Sequence, residues 1–294
     1  MGAHSYRAAK RAAPITSAAI LFATPALAAP SEINAADTAW MISATALVLM
    51  MTIPGLALFY SGMVRKKNVL ATMAQSLAAV MIISILWVAF GYSLAFVGDG
   101  QWLGNLDRAF LAGMTMDSVN PAAKTIPEAL FMLYQMTCAI ITVALVAGSV
   151  ADRMRFSAYL LFSIAWFTFV YVPLAHWVWG GGFLGTMGVL DFAGGLVVHL
   201  SAGIGGLVAA RVIGRRQGYG TENLSPFDLS LAVIGTGLLW VGWFGFNGGS
   251  ALSASPRAVM AIVATHLAAS SGALVWGGIE WSVRRKPSVL GMIS

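Results

Sequence analysis

Seven stretches of this sequence are each long and apolar enough to cross a lipid bilayer as a helix, and that property removes most folds from consideration. They fall at about 37–60, 70–97, 127–150, 156–177, 190–213, 229–250 and 259–283, each near or above the roughly 20 residues that span the hydrocarbon core. Within a bilayer the backbone has no water to bond to, so each segment must satisfy its own N–H and C=O groups, as a helix does. Composition agrees: 59% of the 294 residues are hydrophobic and 10% charged, against about a quarter charged in a soluble domain. The expected fold class is all-α, a polytopic membrane helix bundle. An eighth apolar segment begins at Ser288 and runs to Ser294.

Residues 1–28 read as a secretory signal peptide rather than a span. Arg7, Lys10 and Arg11 form a basic leader, an apolar stretch follows from Ile15, and Ala26-Leu27-Ala28 offers a small-x-small cleavage pattern. Pro14 and Pro25 break that stretch, which disfavours an uncleaved first helix. The remainder, 35–294, is expected to be one membrane domain with its mature N-terminus outside. On that orientation eleven basic residues fall in inner connections, including Arg65, Arg153, Arg216 and Arg284, against Arg108, Lys124 and Arg257 outside. This is the positive-inside pattern and agrees with that orientation; the signal peptide points to bacterial export and so to a bacterial inner membrane. The net charge of +6 is dispersed among these short clusters and calls for no nucleic-acid partner. The long outer connection, 98–126, carries Asp99, Asp107 and Asp117, which suit a solvated loop or a weak cation concentrator. Cys138 is the one cysteine, so no intramolecular disulfide and no cysteine-based metal spacing is possible.

Four features could carry chemistry. His199 lies inside the fifth apolar run, where an ionisable group is costly and functional use is the default expectation, although a structural hydrogen bond to a neighbouring helix would also place it there. Gly195 and Gly203, one turn away on either side, leave room for another helix or a solute. Asp191, near the outer end of the same run, either caps the helix or attracts a cation or anchors a binding loop. In HWVWGGG (176–182), the two tryptophans serve either as interfacial belt residues or as a vestibule wall, where an indole face can hold a small cation. In GWFGFNGGSA (242–251), Phe246 and Ser250 share a helix face and can line a cavity, while Gly248 and Gly249 suit helix packing. His176 and His266 have no metal-ligand spacing with His199. Motifs of the common hydrolases, metalloproteases and P-loop enzymes are lacking, so neither an enzyme nor a cofactor or metal is expected.

FYSGMVRKKN (59–68), GYSLAF (91–96), AHWVWGGG (175–182), LDFAGGLVVH (190–199), GWFGFNGGSA and KPSVLG (286–291), in that order, resemble the ammonium transporter family, the Amt/Mep/Rh group. The resemblance implies an eleven-helix inverted-repeat fold, of which seven to eight helices fall within this sequence, and a homotrimer with one pore per subunit. It implies ammonium or ammonia as substrate, and a PII-class regulatory protein as a partner at the cytoplasmic face. Carried over by motif, Trp179, Ser250 and Tyr134 resemble the outer recruitment site, with Asp191 supporting it from behind. Phe246 resembles one of two stacked gating phenylalanines; Cys138 stands at the other position, so a wider or differently built gate is expected. His199 resembles the first of two hydrogen-bonded pore histidines, the second belonging to helices beyond Ser294. A chain without those helices is expected not to conduct normally alone, and an ammonium sensor or a nonfunctional remnant are the alternatives to a transporter.

Overall fold

The computed structural model describes residues 33–294; the expected signal peptide lies outside the described residues. Among them the regular elements are helices, with a single isolated bridge between Asn120 and Ala123. Seven are long and apolar enough to cross a membrane: α1 (Ala35–Met63), α2 (Lys66–Phe96), α3 (Glu128–Val150), α4 (Phe156–Thr186), α5 (Gly195–Ile213), α6 (Leu229–Gly249) and α7 (Pro256–Arg284). A short α8 (Val289–Ile293) follows, its first turn capped by the Ser288 hydroxyl.

Local chemistry explains where these helices begin and bend. Asn34 Oδ1 accepts the backbone N–H groups of Ala36 and Asp37, closing the start of α1. Pro54 has no N–H to continue the helical ladder, and at Ile53 (φ −132°, ψ 116°) α1 departs from helical geometry. The fifth helix starts at Gly195, five residues later than its apolar run implies. Gly194 adopts φ +89°, a left-handed conformation that glycine reaches without penalty and that breaks the ladder. Asp191 therefore precedes the helix, and His199 lies four residues into it, about 6 Å along its axis rather than near its centre.

Burial ranks the helices. In α3, 78% of the apolar window is buried against 11% in α7, so α3 is the central post and α7 lies at the margin. Helices α1, α2 and α5 pack around α3, and α6 crosses α1. That crossing is close: a Cβ at Gly245 would lie 2.6 Å from Leu47 Cβ and 2.7 Å from the Ala44 carbonyl oxygen. Such contact depends on small residues, since apolar side chains gain little by leaving lipid for protein. Around His199 the two alternatives divide: Gly203 borders open space on the cavity it shares with His199, and helix contact is made two and three residues further on. A Cβ at Gly203 would meet nothing within 4 Å, whereas Gly205 and Gly206 abut Trp166 and Ser149.

At the end bearing the basic connections, the inner end, several arginines have structural partners. Asp152, its side chain fully buried, faces Arg65 Nε at 3.4 Å, pairs with Arg216 and accepts from Asn68. Arg65 also reaches Glu222 at 3.0 Å, and Arg153 donates to the Gly214 carbonyl at 2.7 Å, closing the end of α5. One carboxylate thus ties three connections together. Asp152→Ala is expected to lower stability by about 3 kcal/mol, the scale for stranding a buried charge, read as an earlier thermal transition of the detergent-solubilised protein.

Candidate functional site

The outer end of the bundle holds a cavity of about 310 Å³ whose wall includes Tyr134, Cys138, Trp179, Asp191, Phe246 and Ser250. Six of the seven residues singled out from the sequence are thereby brought together, from α3, α4, α6 and the segment before α5. His199, the seventh, lines a deeper cavity of about 520 Å³ together with Phe246, Trp243 and Val198. Phe246 borders both spaces. The His199 ring meets Phe246 edge-to-face at 6.1 Å between centroids and Trp243 at 6.0 Å. His199 also borders a third cavity, of about 730 Å³, which extends past Tyr60 and Gly203 to Arg153 and Arg216 at the inner end.

Asp191 builds the joint between these spaces. Its carboxylate accepts the backbone N–H groups of Gly194 (2.8 Å), just before the helix, and of Leu196 (3.1 Å) and Val197 (2.8 Å), which the first turn of a helix leaves without intrahelical partners. The negative charge also suits the positive end of the α5 dipole. Its backbone carbonyl accepts the Trp179 indole N–H at 2.7 Å. Of the two sequence readings of Asp191 the cap is realised, and the cap also aligns the cavity wall.

The tryptophans divide their roles. Trp177 packs against Trp102 and Phe183 and donates to the Trp102 carbonyl at 2.8 Å, fastening the outer connection. Trp179 alone of the pair faces the cavity. His176 is fully buried, its ring nitrogens against the carbonyls of Ala95 and Gly100, so it is a structural pin for the same connection.

Polar groups in the outer cavity converge on the end of α6. The Tyr134 hydroxyl donates to the Phe246 carbonyl at 2.7 Å, and the Ser250 hydroxyl donates to the same oxygen at 2.8 Å. With its proton so used, Ser250 Oγ has lone pairs left for a donor in the cavity. Gly248 and Gly249 meanwhile pack against Ile262 and Tyr134, so both readings of that motif hold, on different faces.

Sequence reasoning missed Phe131 and Gln135. Both line the cavity, and Gln135 Oε1 is buried with no hydrogen-bond partner in the protein. The signal was present: 131, 134, 135 and 138 follow the i, i+3, i+4, i+7 spacing of one helix face. Cys138 is buried on this face, two turns along from Phe131, and shares the cavity wall with Phe246.

A helical, polytopic bundle with an aromatic-walled polar chamber stacked on a more apolar one defines a multi-pass membrane protein of the channel or transporter kind. The chain belongs to the ammonium transporter family, whose model, described as Ammonium Transporter Family, matches residues 39–294. It is 49% identical to the ammonium transporter of Bacillus subtilis over 258 residues, which cover 88% of this chain and 63% of that protein. The crystal structure of Candida albicans Mep2 superposes with a TM-score of 0.81 at 36% identity, covering 89% of this chain and 58% of that one. A solved structure described as a sensor Amt protein gives 0.80 at 26% identity, covering 88% and 65% respectively. The chain thus spans less than two thirds of the length of these relatives.

The cap carries a measurable consequence. Asp191→Ala removes the acceptor for three N–H groups and is expected to cost about 2 kcal/mol, the upper range for a lost N-cap. The check is a lower melting temperature in detergent together with a changed emission of Trp179, assigned by comparison with a Trp179→Phe chain; an unchanged melt and spectrum would remove Asp191 from this role.

Proposed function

We propose that the chain forms the recruiting chamber and gate of an ammonium transport pathway. The observation that carries this reading is the convergence of Trp179, Ser250, Tyr134, Gln135 and Phe246 on one outer cavity, with His199 immediately beyond Phe246. An ammonium ion there has the Trp179 indole for cation-π attraction and the Ser250 oxygen as a hydrogen-bond acceptor.

Magnitudes then decide what passes Phe246. A cation-π contact is worth about 0.5–2 kcal/mol, and hydrogen bonds to a charged group about 1.5–3 kcal/mol each. Carrying a bare ion into an apolar space costs tens of kcal/mol in the Born limit. The outer chamber can therefore concentrate the ion, but the more apolar cavity beyond favours ammonia, the N–H bond breaking at the boundary and the proton passing to water in the outer chamber. His199, an imidazole with one donor and one acceptor when neutral, supplies the hydrogen-bonding partner on the far side. The proposal extends to the setting of the family: a bacterial inner membrane with the mature N-terminus outside, a homotrimeric assembly, and a PII-class partner at the inner face. The distribution of basic residues supports the orientation.

Recruitment is tested on the purified chain by equilibrium dialysis with radiolabelled methylammonium. Trp179→Leu and Ser250→Ala are each expected to weaken the site about tenfold, equivalent to one lost contact of about 1.4 kcal/mol. Phe246→Ala is expected to leave affinity within about twofold while speeding release, because the ring bounds the chamber rather than holding the ion. Equal binding in all three variants would refute the reading.

A further inference from the structure

Along the outside of the bundle, between α4 and α5, runs an apolar groove of about 750 Å³. The sequence of α5 builds it. Ser201, Gly205 and Ala209 recur every fourth residue, share one face and form a recessed floor, while Ile204, Val208 and Val212, a step around the helix and all exposed, form a wall. Trp166 of α4 stands on the other side and comes close at Gly205, where a Cβ would lie 2.8 Å from its Nε1. The lining belongs almost wholly to membrane-spanning segments, so the groove lies at the depth of lipid tails. On α5 it runs from Leu196 to Ile213, about 26 Å at 1.5 Å per residue, and its inner half is close to one leaflet deep, about 15 Å. A concavity of this size left empty would forfeit dispersion contacts along its whole lining, so an apolar chain belongs in it.

The inner mouth of the groove narrows what that chain carries. Met154, Tyr159, Ala209 and Ile213 pack together there, joining the start of α4 to the end of α5. Arg155 follows Met154 directly, and Arg211 continues the row of Ile204 and Val208 at i, i+4, i+7 spacing, so one arginine stands on each side of the mouth. Both are exposed, and among the described residues neither takes part in an ion pair. Their neighbours are otherwise engaged: Arg215 lies over the Tyr219 ring at 5.4 Å, and Asp152, the acidic residue nearest Arg155 in the chain, is paired with Arg65 and Arg216. Helix α4 also begins here without a side-chain cap, so its first N–H groups add partial positive charge. The groove alone would accept the tail of any lipid. Two unpaired guanidinium groups beside it favour a phosphate whose charge its own headgroup does not neutralise.

We propose that this groove is a binding site for an anionic phospholipid of the leaflet at the inner end, with one acyl chain along Ser201, Gly205 and Ala209 and the phosphate held by Arg155 and Arg211. The site is independent of the ammonium reading: its lining shares no residue with the outer chamber or with the two cavities that His199 borders.

The test is native mass spectrometry of the purified full chain titrated with dioleoyl phosphatidylglycerol or dioleoyl phosphatidylcholine, which share their tails and differ in net charge. The expected result is one phosphatidylglycerol per chain, bound about tenfold more tightly than phosphatidylcholine. Arg155→Gln and Arg211→Gln are each expected to weaken phosphatidylglycerol about fivefold, the effect of one basic residue facing an anionic headgroup, and to leave phosphatidylcholine unchanged. Val208→Trp, which fills the groove from an exposed position, is expected to weaken both lipids. Glycerol phosphate, the charge without the tails, is expected not to displace the lipid; displacement means a site for free phosphate and overturns the proposal. Equal affinity for the two lipids, or unchanged phosphatidylglycerol binding when both arginines are replaced, overturns it as well. A wild type that binds neither lipid also overturns it, and if Val208→Trp then separates associated copies of the chain, the groove is an interface between copies instead.

Discussion

Asp191 is the residue on which the arrangement of the site depends. Its carboxylate satisfies three N–H groups at the start of α5, and its own carbonyl takes the Trp179 indole N–H. These bonds fix two things at once: where the helix bearing His199 begins, and how the wall of the outer cavity faces. In surroundings this apolar, open N–H groups cost far more than they would in water. A single acidic side chain therefore sets the register between the outer chamber and the histidine beyond it.

Phe246 is the second fixed point. Its ring separates the two cavities, and its carbonyl accepts the hydroxyls of Tyr134 and Ser250. The same bonds that fix the Phe246 backbone leave the oxygen of Ser250 with lone pairs free. Phe246 and Ser250 are thus parts of one hydrogen-bonded unit at the end of α6. The position of α6 follows from the small residues at its crossing with α1, where Gly245 admits the backbone of Ala44.

Much of this was legible in the sequence. The seven spans follow from apolar length alone, because a bilayer leaves a backbone few alternatives. Six of the residues singled out from the sequence line one cavity. What periodicity and hydropathy could not supply is instructive. Asp191 sits inside an apolar run, and hydropathy averages over Gly194, whose left-handed backbone delays the helix. Trp177 and Trp179 are indistinguishable by composition and differ only in what folds over them. Arg65, Arg153 and Arg216 satisfy a topological charge rule, yet their partnership with Asp152 and with backbone carbonyls exists only in three dimensions. Gln135 was readable from its helical face, but its unpaired oxygen was not.

The account turns on whether a cation occupies the space between Trp179 and Ser250. The most direct measurement is anomalous diffraction from crystals of the protein soaked in a thallous salt, thallium being a heavy monocation of about the size of ammonium that also binds aromatic faces. An anomalous peak over the indole of Trp179 and within coordinating distance of Ser250 Oγ is the expected result. Crystals that take up thallium elsewhere, with no peak in that chamber, would contradict the account.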